Sequence, residues 1–305
     1  MRWNSWIPRF SIRAMLVGLT LIGFGLAWVA SERRQSQREQ EIARHFQTSS
    51  RAPEHSVWFG GPWDPPHFFP ADPEPAAWRA TARRILGDRV KGLNAYRAWS
   101  ATDRSLLAQL TSVHSLTVYQ CSTNDLLTVA QLKSLRRLAI EAGTLTDISP
   151  LMQLTQLHQL SVDTEAEIDV APLVTLTSLK SLRVTRNSPL ALNSLTHLTN
   201  LEDLSLGEPV ADIHLLPLLK NLARLQLAIR PDADLSPLLA LPKLTWLSIA
   251  TSHLADITPL TRLNGLVQLT INAGDSTLSD EQFSLLRTSL PDCNLTIHGG
   301  MIVDQ

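Results

Sequence analysis

Leucine stands at the first, fourth and seventh positions of a 22-residue unit, with an aliphatic residue at the ninth. LKSLRRLAIEAGTLTDISPLMQ from Leu132 shows it, and so do the segments that follow at Leu154 and Leu176. Further copies begin at Leu110, Leu198, Leu219 and Leu241, with a truncated one at Leu263. A fixed period of this size predicts a solenoid, because each unit can bury its apolar side only against its neighbours. Inside a unit, Leu138, Ala139 and Ile140 alternate with the period of a strand. Stacking such units in phase gives a parallel sheet whose apolar side chains point into the coil.

The polar positions keep the same phase. Asp125, Asp147, Asp169, Asp212, Asp234 and Asp256 each stand seven residues before the next leading leucine, as Asp103 does before Leu110. An aspartate there can accept from free backbone N–H groups at the start of a helical turn, and a proline such as Pro150 removes no needed donor. The six or seven residues available predict 3-10 turns rather than α-helices. The unit from Leu176 departs, with Ala191 in place of the aspartate and Ser194 in place of the proline.

This pattern resembles the leucine-rich repeat, and the short unit with Asp147-Ile148-Ser149-Pro150-Leu151 resembles the internalin variety of bacteria. The resemblance covers about residues 110–274. It implies an α/β solenoid with a concave parallel sheet and 3-10 turns on the convex side, and a non-catalytic function in binding a protein or glycan partner. The family's asparagine, which satisfies backbone groups where the strand turns away, is replaced at most positions. Cys121 and Asn187 fit the family, whereas Gly143, Glu165, Pro209, Arg230, Ser252 and Gly274 do not.

By phase, the outward strand positions line the concave sheet. Most are small and polar, so the charged and aromatic exceptions are the candidate partner-binding residues. These are Tyr119, Arg137, Glu141, Asp163, Arg183, Asp203, Arg224 and Trp246. Trp, Tyr and Arg are the residue types that dominate binding hot spots.

Outside the repeats, residues 14–30 are uncharged and mostly apolar, bracketed by Arg13 and Arg33-Arg34 with Trp3, Trp6 and Trp28 nearby. At 1.5 Å per residue they reach about 25 Å, the short end of a membrane span. A basic segment (1–13), a transmembrane helix (14–30) and a polar juxtamembrane helix (31–51) are therefore expected. That polar helix shows no clear apolar stripe and reads as a solvated spacer. A cleaved signal peptide is the alternative, with Gly25-Leu26-Ala27 suiting a cut that bulky Trp28 disfavours. An anchored chain of this layout is single-pass, and its folded tail is expected outside the cytoplasm.

Residues 52–75 hold seven of the eighteen prolines and read as an extended linker carrying Trp58, Phe59, Trp63, Phe68 and Phe69. Residues 76–109, with a short helix at 76–86 and a strand at 90–96, are expected to cap the first repeat. Residues 275–305, with a helix at 279–290 and a strand at 294–298, are expected to cap the last.

Charge and chemistry add limits. Residues 1–51 carry eight Arg against three Glu, a balance of +5, and the remaining 19 basic and 25 acidic residues give −6. A basic start before an acidic body fits a membrane-proximal end and argues against a nucleic-acid platform. Cys121 and Cys293 lie about seven strand spacings apart, roughly 35 Å, too far to pair. No phosphate loop, nucleophile elbow or His-Glu-x-x-His occurs. His114 and His158 share a repeat position, but at two units' distance (about 10 Å) they cannot grip one metal. No enzymatic activity, cofactor or metal is implied.

Overall fold

The computed structural model describes residues 12–48, 55–59, 90–95, 98–142, 145–185, 192–273 and 278–298, with the side chains of 12–19, 47–48 and 55–59 outside that description. The expected basic segment, most of the linker, the short helix at 76–86 and the last residues of the C-terminal cap lie outside the described residues.

The repeats stack as the leucine columns dictate. The parallel strands are β2 (Val90–Ala95), β3 (Ser115–Tyr119), β4 (Arg137–Glu141), β5 (Gln159–Asp163), β6 (Ser181–Thr185) and β7 (Asp203–Pro209). They continue as β8 (Arg224–Ala228), β9 (Trp246–Ala250), β10 (Gln268–Asn272) and β11 (Asn294–His298). Each pairs with its successor in parallel, and β1 (His55–Phe59) joins the β2 edge antiparallel, making an eleven-stranded sheet in sequence order. Leu138, Leu160, Leu182 and Leu204 face one another across the strands and are wholly buried, so the inside/outside phase is the one the alternation predicts. The unit from Leu198 is one residue short. There β7 is drawn out to seven residues, and its pairing with β8 slips between Leu206 and Pro209.

On the convex side, 3-10 turns run over Ser149–Gln153, Ala171–Thr175, Leu192–Leu195, Ile213–Leu218, Ser236–Ala240 and Leu260–Arg262. Asp147, Asp169, Asp234 and Asp256 each accept the backbone N–H two residues on, at 2.8–2.9 Å. Asp212 heads its turn without a side-chain capping bond. The first two units differ from expectation, because their convex sides are short α-helices: α2 (Ala101–Leu107) and α3 (Thr123–Val129). In both, a serine three residues ahead of the aspartate forms a reciprocal capping box, Ser100 with Asp103 and Ser122 with Asp125. The box fixes the aspartate inside the first turn and opens an α-helix. Arg104 from α2 then reaches Asp125 at 2.9 Å and ties the two helices together.

At two of the positions where the family's asparagine is missing, beside Glu165 and Ser252, a buried threonine bonds the backbone of the turn. Thr164 donates to the Leu145 carbonyl and accepts from the Ala166 N–H, while Thr251 donates to the His253 carbonyl and accepts from the His253 N–H. Backbone groups in a turn this enclosed need such partners.

At the start of the chain, α1 (Ile12–Thr48) is one helix of 37 residues running through both the apolar and the polar stretches. The separate transmembrane helix predicted at 14–30 is not found: no helix among the described residues is long and apolar enough to cross a membrane. Residues 14–19 of that expected span fall on side chains outside the description, and the described remainder, 20–30, covers only about 17 Å. The solvated spacer is also corrected. Ser36, Glu39, Ile42, Ala43 and Phe46 are buried, the apolar ones as members of the solenoid core. A polar half of the docking face hides the stripe from a hydropathy reading. At the far end, α4 (Asp280–Ser289) begins at Ser279 with a capping box to Gln282, buries Leu286 and leads into β11.

Candidate functional site

The concave face is built by the outward residues of β3 to β10, and the pairing arranges them in straight rows. At the far ends of β3, β4 and β5, Tyr119, Glu141 and Asp163 are neighbours. At the near ends of β7, β8 and β9, Asp203, Arg224 and Trp246 are neighbours, with Gln268 beyond. Arg183 occupies the middle row beside Ser205. Arg137 shares the near row but lies three strands before Asp203, beyond Gln159 and Ser181. The eight predicted residues thus form two groups of three on one sheet, with two arginines apart.

Their exposure is less uniform than alternation suggests. Glu141 and Arg224 are exposed, and Tyr119, Asp163, Arg183 and Asp203 are half-buried. Arg137, expected outward, is only 9% exposed, and Trp246 is half-buried rather than standing free. The middle row is largely small, and Thr117, Ser205 and Ser248 are buried in it. Side chains of adjacent strands stand about 4.8 Å apart, so tall neighbours shade short ones.

Electrostatically the centre of the face is an Asp203–Arg224 contact, Nε to Oδ2 at 3.2 Å. Burial raises the Asp203 carboxyl above the usual range, while the Arg224 and Arg183 guanidinium groups pull it down. On the convex turns the sign reverses: hydrogen bonds from Ser149, Ser236 and Thr258 hold Asp147, Asp234 and Asp256 below it. The lowered groups add stability above their unfolded pKa of about 3.9, and this is lost as pH falls through the folded values. Asp203 acts oppositely, its contribution being present in acid and lost as pH rises through its folded value. Urea midpoints measured from about pH 6 to about pH 3 should therefore fall more steeply in Asp203→Asn than in the parent. Joint replacement of Asp147, Asp234 and Asp256 by asparagine should flatten the fall. Parallel curves for all three proteins would show these signs to be wrong.

Two polar atoms on the concave sheet, Gln159 Oε1 and Ser205 Oγ, are buried without a hydrogen-bond partner. Both cysteines are free, and burial pushes the Cys121 thiol up to about 12, which leaves it inert. Among the described residues no group of three or more His, Cys, Asp or Glu is placed to hold a metal.

Sequence reasoning missed one contributor and the depth of another. The buried row of Thr117, Ser205 and Ser248 gives the sheet its depth, signalled only by small residues recurring at the middle position. The docking face of α1 was signalled only by the helical spacing of Ser36, Glu39, Ala43 and Phe46.

No protein-family description matches the chain, and no curated protein matches it. Among solved structures, an internalin (inlF) from Listeria monocytogenes is similar at 25% identity with a TM-score of 0.50, over 65% of this chain and 66% of that one. Internalin C2 from the same organism is similar at 25% identity with a TM-score of 0.47, over 63% of this chain and 83% of that one. A leucine-rich-repeat protein of Leptospira interrogans shares 17% identity with a TM-score of 0.43, over 63% of this chain and 62% of that one. The chain thus spans just under two thirds of the first internalin's length. Its fold is a leucine-rich-repeat solenoid of the kind found in bacterial internalins.

Proposed function

We propose that this protein is a non-catalytic binding module that grips a protein partner on its concave sheet, with a glycan as the less favoured occupant. The observation that carries the reading is the row of Asp203, Arg224 and Trp246 on neighbouring strands, an ion pair beside an aromatic on a sheet whose middle row is small. The mixed signs of Arg183, Asp203 and Arg224 suit a polypeptide of mixed charge, and Trp246 beside Arg224 supplies a flat apolar contact.

The apolar half of α1 is proposed as the attachment to a lipid bilayer, with the solenoid outside the cytoplasm. Leu21, Ile22, Phe24, Leu26 and Trp28 are all exposed, on more than one side of the helix. A helix apolar over so much of its circumference suits acyl chains better than one partner groove. Retention in the membrane fraction after alkaline carbonate washing, with an intact N-terminus by mass spectrometry, is the expected result. A mature chain beginning near Trp28 or Glu32 would rule the anchor out.

The binding reading is tested by capturing a partner with the full-length protein and measuring it against alanine variants. Trp246→Ala and Arg183→Ala should each lose at least about 1 kcal/mol of affinity. Gln153→Ala and Lys220→Ala, on convex exposed positions, should be silent. Sensitivity at Trp58, Trp63 and Phe68 instead, with indifference on the concave face, would point to a structural spacer acting through its linker.

A further inference from the structure

Glu39 is a carboxylate with 0% exposure on a helix that the sequence presents as a solvated spacer. It accepts from the Val90 N–H at 3.2 Å, from the Thr111 N–H at 3.3 Å and from the Thr111 hydroxyl at 3.4 Å. Ser112 Oγ lies 2.6 Å from it and 2.8 Å from the Val90 carbonyl, so that hydroxyl proton stands between the two acceptors. Val90 opens β2, and Thr111 and Ser112 open the next turn of the coil. A single side chain thus bridges two successive turns at the end where the stack begins.

The contacts around it lie on the same helix and close over the same end. Ile42, Ala43 and Phe46 enter the core one and two turns further along. Gln35 Nε2 donates to the Gln109 carbonyl at 3.3 Å, and His45 Nε2 stands 3.0 Å from Asp103 Oδ1. Asp103 is itself the capping-box residue of α2. A charged group out of water is tolerated only when donors surround it, and charge-assisted bonds are the stronger kind. Docked, Glu39 has those donors; lifted away, it leaves the N–H groups of Val90 and Thr111 without their acceptor. Between the apolar stretch and this peg α1 has no break and no proline, so the two ends of the helix move as one body.

We infer that α1 is a strap: Glu39 couples the apolar half of the helix to the order of β2 and the first turn of the coil. A pull or a partner acting on residues 20–30 is thereby transmitted into the start of the binding sheet. The coupling holds whatever surrounds the apolar half, and it does not depend on which partner the concave face takes.

Hydrogen–deuterium exchange on the full-length protein tests it. In Glu39→Ala, the amides of residues 36–46 and of β2 should exchange faster together, by roughly tenfold or more, while those of β8 to β10 keep their protection. Glu39→Gln keeps one acceptor oxygen but loses the charge, and should give a smaller rise in the same two segments. Faster exchange in α1 alone, with β2 unchanged, would overturn the coupling, as would no change in either. Should the alanine variant lose protection throughout, the glutamine variant decides: a joint partial rise supports the strap, and parent-like exchange refutes it.

Discussion

Replacing Leu182 by alanine is expected to lower the stability of the full-length protein by about 2–5 kcal/mol. Leu182 is wholly buried on β6, in register with Leu160 on β5 and Leu204 on β7. Truncation removes apolar burial and opens a void in the middle of a leucine column. The column cannot collapse into the void, because the strands on both sides are held by their own backbone ladders. Arg183→Ala, one residue on, changes a half-buried side chain on the other face and should stay within about 0.5 kcal/mol. Urea unfolding of both variants measures the difference. A larger loss at Arg183 would mean that the inside and outside of every strand are exchanged, and the concave residues with them.

Phe46→Ala should cost about 3–5 kcal/mol, as expected for a large aromatic removed from a core. At 1% exposure, Phe46 is buried as deeply as the repeat leucines, and it meets the His45 ring edge-on with centroids 5.7 Å apart. Arg38→Ala, on the exposed face of the same helix, should stay within about 0.5 kcal/mol. Thermal or urea melts of the two variants separate a docked helix from a solvated one: equal, negligible losses would restore the spacer. Work on this protein therefore needs the whole chain, since a fragment starting after α1 lacks part of its core.

The repeats were legible because a leucine in phase has one solution, the inside of the coil, and eight copies repeat the instruction. The concave rows were legible for the same reason, since alternation fixes facing. Their depth was not: Arg137 is buried and Trp246 half-buried, and a single strand's pattern does not contain its neighbours' heights. The convex turns were half legible. Asp103 and Asp125 share the phase of Asp147, but Ser100 and Ser122 turn the same aspartate from a turn cap into the third residue of an α-helix. α1 was misread because its docking face includes Ser36 and Glu39, which score as solvent-facing. The groups that make burial of Glu39 tolerable stand 51 to 73 residues away in the chain. Strand β1 was hidden by the proline-rich setting of His55–Phe59, which points to an extended segment but not to its partner.

The reversed direction of β1 bears on polymerisation. A stack of identical parallel units with matching ends is a template for fibres, because one copy's last strand can accept another copy's first. Here the first edge belongs to β1, which runs against β2 and shifts register between Trp58 and Phe59. A second molecule arriving in phase with the leucine columns meets a strand of the opposite sense and a broken register. Among the described residues the repeat thus ends at an antiparallel strand, which disfavours in-phase head-to-tail stacking at that edge.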